Sequence, residues 1–164
     1  MKKKNSSIKI FVMLCGIVLG VSLSSGGVLM AQQHPGPAAA LSAADGEQPD
    51  QRVEVTELKR TSGGTVNLKF VMINDSNKDI SFWQNFGGGN TISGVTLVDE
   101  KNKKKYFVVQ DSERNCLCSS GLDRVKPKSR INLWAKFPAP PEDVEKISVS
   151  IPHFQPMDDV PISR

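Results

Sequence analysis

Hydrophobic residues in the middle and C-terminal parts of this chain recur at every second position. Val66, Leu68, Phe70 and Met72 alternate with Thr65, Asn67, Lys69 and Val71. Ile131, Leu133, Ala135 and Phe137 alternate with Arg130, Asn132, Trp134 and Lys136. Ile147, Val149 and Ile151 alternate with Lys146, Ser148 and Ser150. Successive side chains of a strand point to opposite faces, so each run predicts a strand with one buried face. Shorter or more doubly apolar runs at 53–58, 80–83, 95–98 and 106–109 predict further strands, and 160–162 a short last one. Turn chemistry separates them: Ser62-Gly63-Gly64, Asn74-Asp75-Ser76-Asn77, Gly87-Gly88-Gly89-Asn90 and Val125-Lys126-Pro127-Lys128.

About seven strands in just over a hundred residues, with turns at short intervals, predict an all-β fold. The expected form is an immunoglobulin-like antiparallel β-sandwich, with a small closed barrel as the alternative. No stretch has a sustained helical period, and residues 141–146 form at most one turn. Trp83 falls in the third expected strand, where such sandwiches often bury a tryptophan. The inter-sheet disulfide of antibody domains has no counterpart, because the second strand lacks a cysteine. Packing alone must hold the sheets together.

The N-terminal third reads differently. Lys2, Lys3, Lys4 and Lys9 precede an apolar run over 10–23 and the small residues Ser24-Ser25-Gly26-Gly27, the layout of a secretory signal peptide ending between 24 and 31. The competing reading is an uncleaved membrane anchor over 8–31. Cys15 lies in the middle of the apolar run, which argues against a lipoprotein. Residues 32–51, with Pro35, Pro37 and Pro49 among Ala, Gly, Ser and Asp, read as a flexible linker, leaving 52–164 as one domain. The chain carries 21 basic and 17 acidic residues, and the excess is the four lysines of the leader. The exported part is therefore formally neutral, which argues against nucleic acid as partner and leaves membrane contact to an uncleaved N-terminus. The lysine run at 101–105 reads as a solvated hairpin tip.

Cys116 and Cys118 are the only cysteines outside the leader, and they sit one residue apart. Export places them in an oxidising compartment. In a flat strand, positions i and i+2 lie about 6.6 Å apart, so bonding these two sulfurs requires a bent backbone. A ring this small closes for a loop-entropy gain of only about 1.6 kcal/mol, against ~3 kcal/mol for fifteen residues. Four states fit the pair: a local disulfide shaping a loop, a reversible redox couple, a soft-metal thiolate site, and free or intermolecular cysteines. His153, Met157, Asp158 and Asp159 lack a diagnostic ligand spacing, so neither metal nor cofactor is expected.

Two aromatics run into three glycines at 82–90. Trp83, Asn85, Phe86 and Asn90 are thus candidates for an adaptable binding loop, against the simpler reading of a core tryptophan and a long turn. Phe137-Pro138-Ala139-Pro140-Pro141 reads as a rigid connector between strands. No nucleophile elbow, phosphate loop or zinc-protease helix is present, and Asp158-Asp159 point to opposite faces of a strand. An enzyme is not expected.

The order Tyr106-Phe107-Val108-Val109, Asp111, Cys116-Leu117-Cys118-Ser119, Trp134-Ala135-Lys136-Phe137-Pro138-Ala139-Pro140-Pro141, Val144 and Asp159-Val160-Pro161-Ile162 resembles a bacterial family of exported immunoglobulin-like domains of largely unknown function. Some members precede an OmpA-type peptidoglycan-binding domain, and the set is similar to secreted immunoprotective-antigen-like sandwiches. The resemblance covers about the last sixty residues. It implies a periplasmic or secreted location, an interaction role with a protein or cell-envelope component, and no catalytic residues. No OmpA-type module lies within these 164 residues, so wall attachment by that route is not expected. The expected function is a non-catalytic binding or assembly module. A redox or copper-handling protein acting through Cys116 and Cys118 is the alternative.

Overall fold

Alternation sets the strands, and burial of their apolar faces sets the sheets. The computed structural model describes residues 39–82, 86 and 89–164. The signal or anchor expected over 1–31 lies outside the described residues, as do Trp83 and Asn85. Ten strands follow in chain order: β1 (Ser42–Asp45), β2 (Gln51–Thr61), β3 (Thr65–Asn74), β4 (Ile80–Ser81), β5 (Thr96–Asp99), β6 (Lys104–Phe107), β7 (Arg124–Val125), β8 (Ser129–Pro138), β9 (Lys146–Ser150) and β10 (Met157–Pro161). They form two four-stranded sheets, β1-β2-β3-β8 and β10-β9-β5-β6, and a two-stranded ribbon, β4-β7. All pairings between these strands are antiparallel.

The expectation of an all-β chain with antiparallel sheets holds. The runs read from 65–72, 130–137 and 146–151 become β3, β8 and β9, with the alternate residues inside. Val66, Leu68, Phe70 and Met72 of β3 share one buried cluster with Leu133, Ala135 and Phe137 of β8 and with Leu97, Ile147 and Val149 of the second sheet. Fully burying one such side chain stabilises by roughly 1.5–3 kcal/mol. β3 and β8 pair without a break from Thr65↔Pro138 to Asn74↔Ser129. β2 pairs with β3 over a similar length, broken once by a bulge at Thr56.

The linker expected over 32–51 needs correction. The ordered fold begins before residue 52: Ala43 and Ala44 pair with Glu54 and Val53, and Ala44 is buried. Small side chains give β1 almost no hydrophobic pattern. Its stability comes from backbone hydrogen bonds to an edge that β2 would otherwise expose. β7 is missed for a related reason, being two residues long inside a stretch that reads as a turn.

Two polar side chains hold the connections. The Arg60 guanidinium donates to the carbonyls of Pro140, Pro141 and Val144 at 2.7, 2.8 and 2.9 Å, fixing the proline connector between β8 and β9. Asn74, fully buried at the end of β3, has two amide hydrogens serving the carbonyls of Lys78, Val125 and Lys126 at 2.8–3.1 Å. Its Oδ1 accepts from the backbone N–H and the hydroxyl of Ser76. That one amide joins the first sheet to both sides of the β4-β7 ribbon. The lysine tip between β5 and β6 is a hairpin turn as expected, pinned by Asp99, which accepts from Asn102 through its backbone and side-chain nitrogens.

The open edges are blunted. β10 carries a register irregularity between Met157 and Val160 and ends in Pro161, and β6 is four residues long with two lysines. Such features discourage pairing with other chains. The outer edge of β8 is closed by the chain itself, through the cysteine segment described below.

Replacing Asn74 with Ala leaves three carbonyls without their shared donor. The expected loss is about 2–4 kcal/mol in urea-melt stability, far above that of an ordinary surface substitution. A loss within ~0.5 kcal/mol would show that the ribbon is held by other means.

Candidate functional site

Residues 108–119 leave the second sheet and lie along the outer edge of β8. Val109 N–H donates to the Lys136 carbonyl at 2.8 Å, Leu117 N–H to the Val109 carbonyl at 2.7 Å, and Lys136 N–H to the Leu117 carbonyl at 2.9 Å. One step on, Ser119 N–H donates to the Trp134 carbonyl, and Trp134 N–H returns to the Ser119 hydroxyl at 2.9 Å. Cys118 sits opposite Ala135 and points into the core, only 4% exposed.

Cys116 and Cys118 are joined by a disulfide, with their Cα atoms 5.2 Å apart. That separation is shorter than the roughly 6.6 Å of a flat strand, so the backbone is bent as the spacing demands. The disulfide state occupies both sulfurs, and Leu117 between them is pushed outward, 38% exposed. Among the described residues no group of three or more His, Cys, Asp or Glu side chains is placed to hold a metal.

The turn leading into the ring is built around Asp111. Its Oδ1 accepts from the backbone N–H groups of Glu113 and Asn115 at 2.8 and 2.9 Å, and Oδ2 accepts from the Asn115 side chain. Arg114 takes a left-handed backbone at φ 66° inside this turn. Hydrogen bonds from Asn115, first its backbone and then its side chain, hold the Asp111 carboxyl below the ordinary carboxylate range. A lowered carboxylate pKa means the stabilisation is complete above the ordinary value and is lost as pH falls through the lowered one. The turn is therefore set at neutral pH and loosens in acid.

The binding-loop candidates separate. Phe86 is fully buried, its ring 5.0 Å from Phe82 and 6.4 Å from Phe154, so it packs the core and offers no surface to a ligand. Asn90 takes φ 56° and its carbonyl accepts from Leu122 N–H, a turn-forming role. Trp83 and Asn85 lie outside the described residues.

A different aromatic presents itself. Trp134 is 40% exposed on the face of β8 turned away from the core. Across the sheet it stands opposite Lys69, and Lys69 stands opposite Glu57. The Lys69 ammonium lies 3.0 Å from Glu57 Oε1, which also accepts from Asn67 Nδ2 at 3.4 Å. The hydrogen bond from Lys69, ahead of opposing desolvation, lowers the Glu57 pKa and favours its carboxylate form. Thr56, Asn67, Lys69, Asn132 and Trp134 line a shallow depression of about 330 Å³. The sequence held a sign of this: a tryptophan on the polar side of an otherwise clean alternation with Arg130, Asn132 and Lys136. Phe107, 62% exposed on the second sheet, has the Lys105 ammonium 5.9 Å over its ring.

Comparison with known proteins finds no family model, curated protein or solved structure that matches this chain.

Replacing both cysteines with serine removes a three-residue ring. Chemical denaturation is expected to show a stability loss of about 1–2 kcal/mol with the fold kept. Loss of cooperative unfolding would instead make the ring a requirement for folding.

Proposed function

We propose that this chain is an exported, non-catalytic binding module of the bacterial envelope or extracellular space, built as an immunoglobulin-like β-sandwich. Two four-stranded antiparallel sheets around one core support the fold assignment. The observation that carries the functional reading is Trp134. Leaving a large indole in water forgoes burial worth on the order of 2 kcal/mol, and here it stands on a rigid sheet beside an ordered polar network. A rigid aromatic anchor beside ordered polar side chains is the make-up of a recognition surface. The disulfide supports an oxidising location. The partner is a protein or cell-envelope component, reached without nucleic acid.

A redox role for the Cys116–Cys118 pair is the second reading. It draws on the partial exposure of Cys116, which borders a depression of about 310 Å³ with Thr91, Gln110 and Arg114. The double serine variant separates the two, since a binding module keeps its function and a redox protein loses it.

Residues 1–31 fused to alkaline phosphatase, an enzyme active only after export, test the location. An active fusion, together with no titratable thiol at Cys116 or Cys118 in the exported protein, is the expected result. A silent fusion, or two free thiols in native protein, would overturn the reading.

A further inference from the structure

The depression beside Trp134 has a composition that narrows its ligand. Among the described residues lining it, Lys69 is the charged one, and Glu57 neutralises it at 3.0 Å. Within the depression itself the charge is paired, so no lining group selects for a charged ligand; Lys136, two residues from Trp134 along β8, stands outside the lining. The face is also short of apolar area for a protein partner. Leu41, Trp134 and Leu117 are its large exposed hydrophobics, scattered from the β1 edge to the β8 edge amid Glu54, Lys59, Lys69 and Lys136, whereas a standard protein interface buries about 800 Å² on each side around an apolar core.

What remains is a compact, neutral molecule with one apolar face and a rim of hydroxyls. The indole supplies a flat surface for axial C–H groups. Around it stand polar groups of β3 and β8. The Asn132 side chain has no hydrogen-bond partner among the described residues, and Asn67 keeps its Oδ1 and one N–H beyond its bond to Glu57. Glu57 itself anchors both Lys69 and Asn67, so these groups are ordered before any ligand arrives. Asn132 lies two residues from Trp134 along β8, on the same face, and Lys69 lies directly across on β3. A depression of about 330 Å³ takes a ligand at the small end of the usual range, which one or two sugar rings fill.

From this geometry we infer that the outer face of β2, β3 and β8 binds a neutral glycan, with a pyranose ring stacked on Trp134 and its hydroxyls held by Asn132, Asn67 and Lys69. The inference rests on the binding-module reading and names its ligand class. The interaction is shallow and weak, in the millimolar range for a single short chain, and gains strength from repetition along a polymer.

The test titrates cellotetraose, maltotetraose and the tetramer of N-acetylglucosamine into the 164-residue chain, following the indole N–H signals by NMR. Trp134→Phe assigns the signal of Trp134. At least one oligosaccharide is expected to shift that signal saturably. Trp134→Ala should weaken binding about tenfold or more, and Asn132→Ala about threefold, with thermal unfolding unchanged. No response to any of the three sugars at millimolar concentration overturns the inference, as does binding that survives Trp134→Ala. Sedimentation covers the other occupant: a dimer that Trp134→Ala converts to monomer would make this face a self-interface and would also overturn it. Either failure leaves the export test untouched, so the failure of the ligand class and that of the envelope reading are told apart.

Discussion

The unbroken register of β3 against β8 is the constraint on which the rest of this molecule depends. Ten consecutive pairs, from Thr65↔Pro138 to Asn74↔Ser129, fix which side of each strand meets the core. A slip of one residue would turn Leu133, Ala135 and Phe137 to water and drive Trp134, Asn132 and Lys136 inward. The buried rows of the first sheet forbid that, and the second sheet closes over the same cluster. Outward display of Trp134 therefore follows from how the core is filled. Asn74 and Arg60 extend the same logic, each spending one polar side chain to tie a loop to the frame that the register defines.

The closed edge of β8 links the cysteine motif to that frame. A Cys-Leu-Cys ring adds little as a cross-link, and its ring size makes the reason plain. Its position is more telling. Val109, Leu117 and Ser119 fill the hydrogen-bonding groups along β8 from Trp134 to Lys136, and the Asp111 turn delivers the chain to that edge. The bend at Cys116 and Cys118 lets one cysteine enter the core while Leu117 faces out. Alongside Trp134, the motif thus finishes the sheet that presents the exposed indole.

Much of this was legible in the sequence where side-chain pattern carries the information. β3, β8 and β9 are strong alternations, and the residues that the alternation turns inward, Leu68, Phe70, Leu133 and Phe137 among them, are buried. The proline connector and the lysine hairpin tip were readable for the same reason. β1 and β7 were not, because Ala43 and Ala44 and a two-residue ribbon are held by backbone pairing that leaves no periodic trace. The aromatic–glycine stretch reads either as a binding loop or as core and turn, and Phe86 falls in the core because it packs against Phe82 and Phe154. The alternation itself places Trp134 on the polar face of β8. Its significance needed the neighbouring strands, since only the β2-β3-β8 register brings Glu57, Lys69 and Asn67 to its side.

Exposure of that indole is the point on which fold and function meet, and it can be measured in solution. In a Trp83→Phe chain, Trp134 is the sole tryptophan, and acrylamide quenching of its fluorescence reports its contact with water. The register described here predicts red-shifted emission and efficient quenching, approaching those of a solvated indole. Blue-shifted emission shielded from acrylamide would put Trp134 inside, and would contradict both the register and the recognition face built upon it.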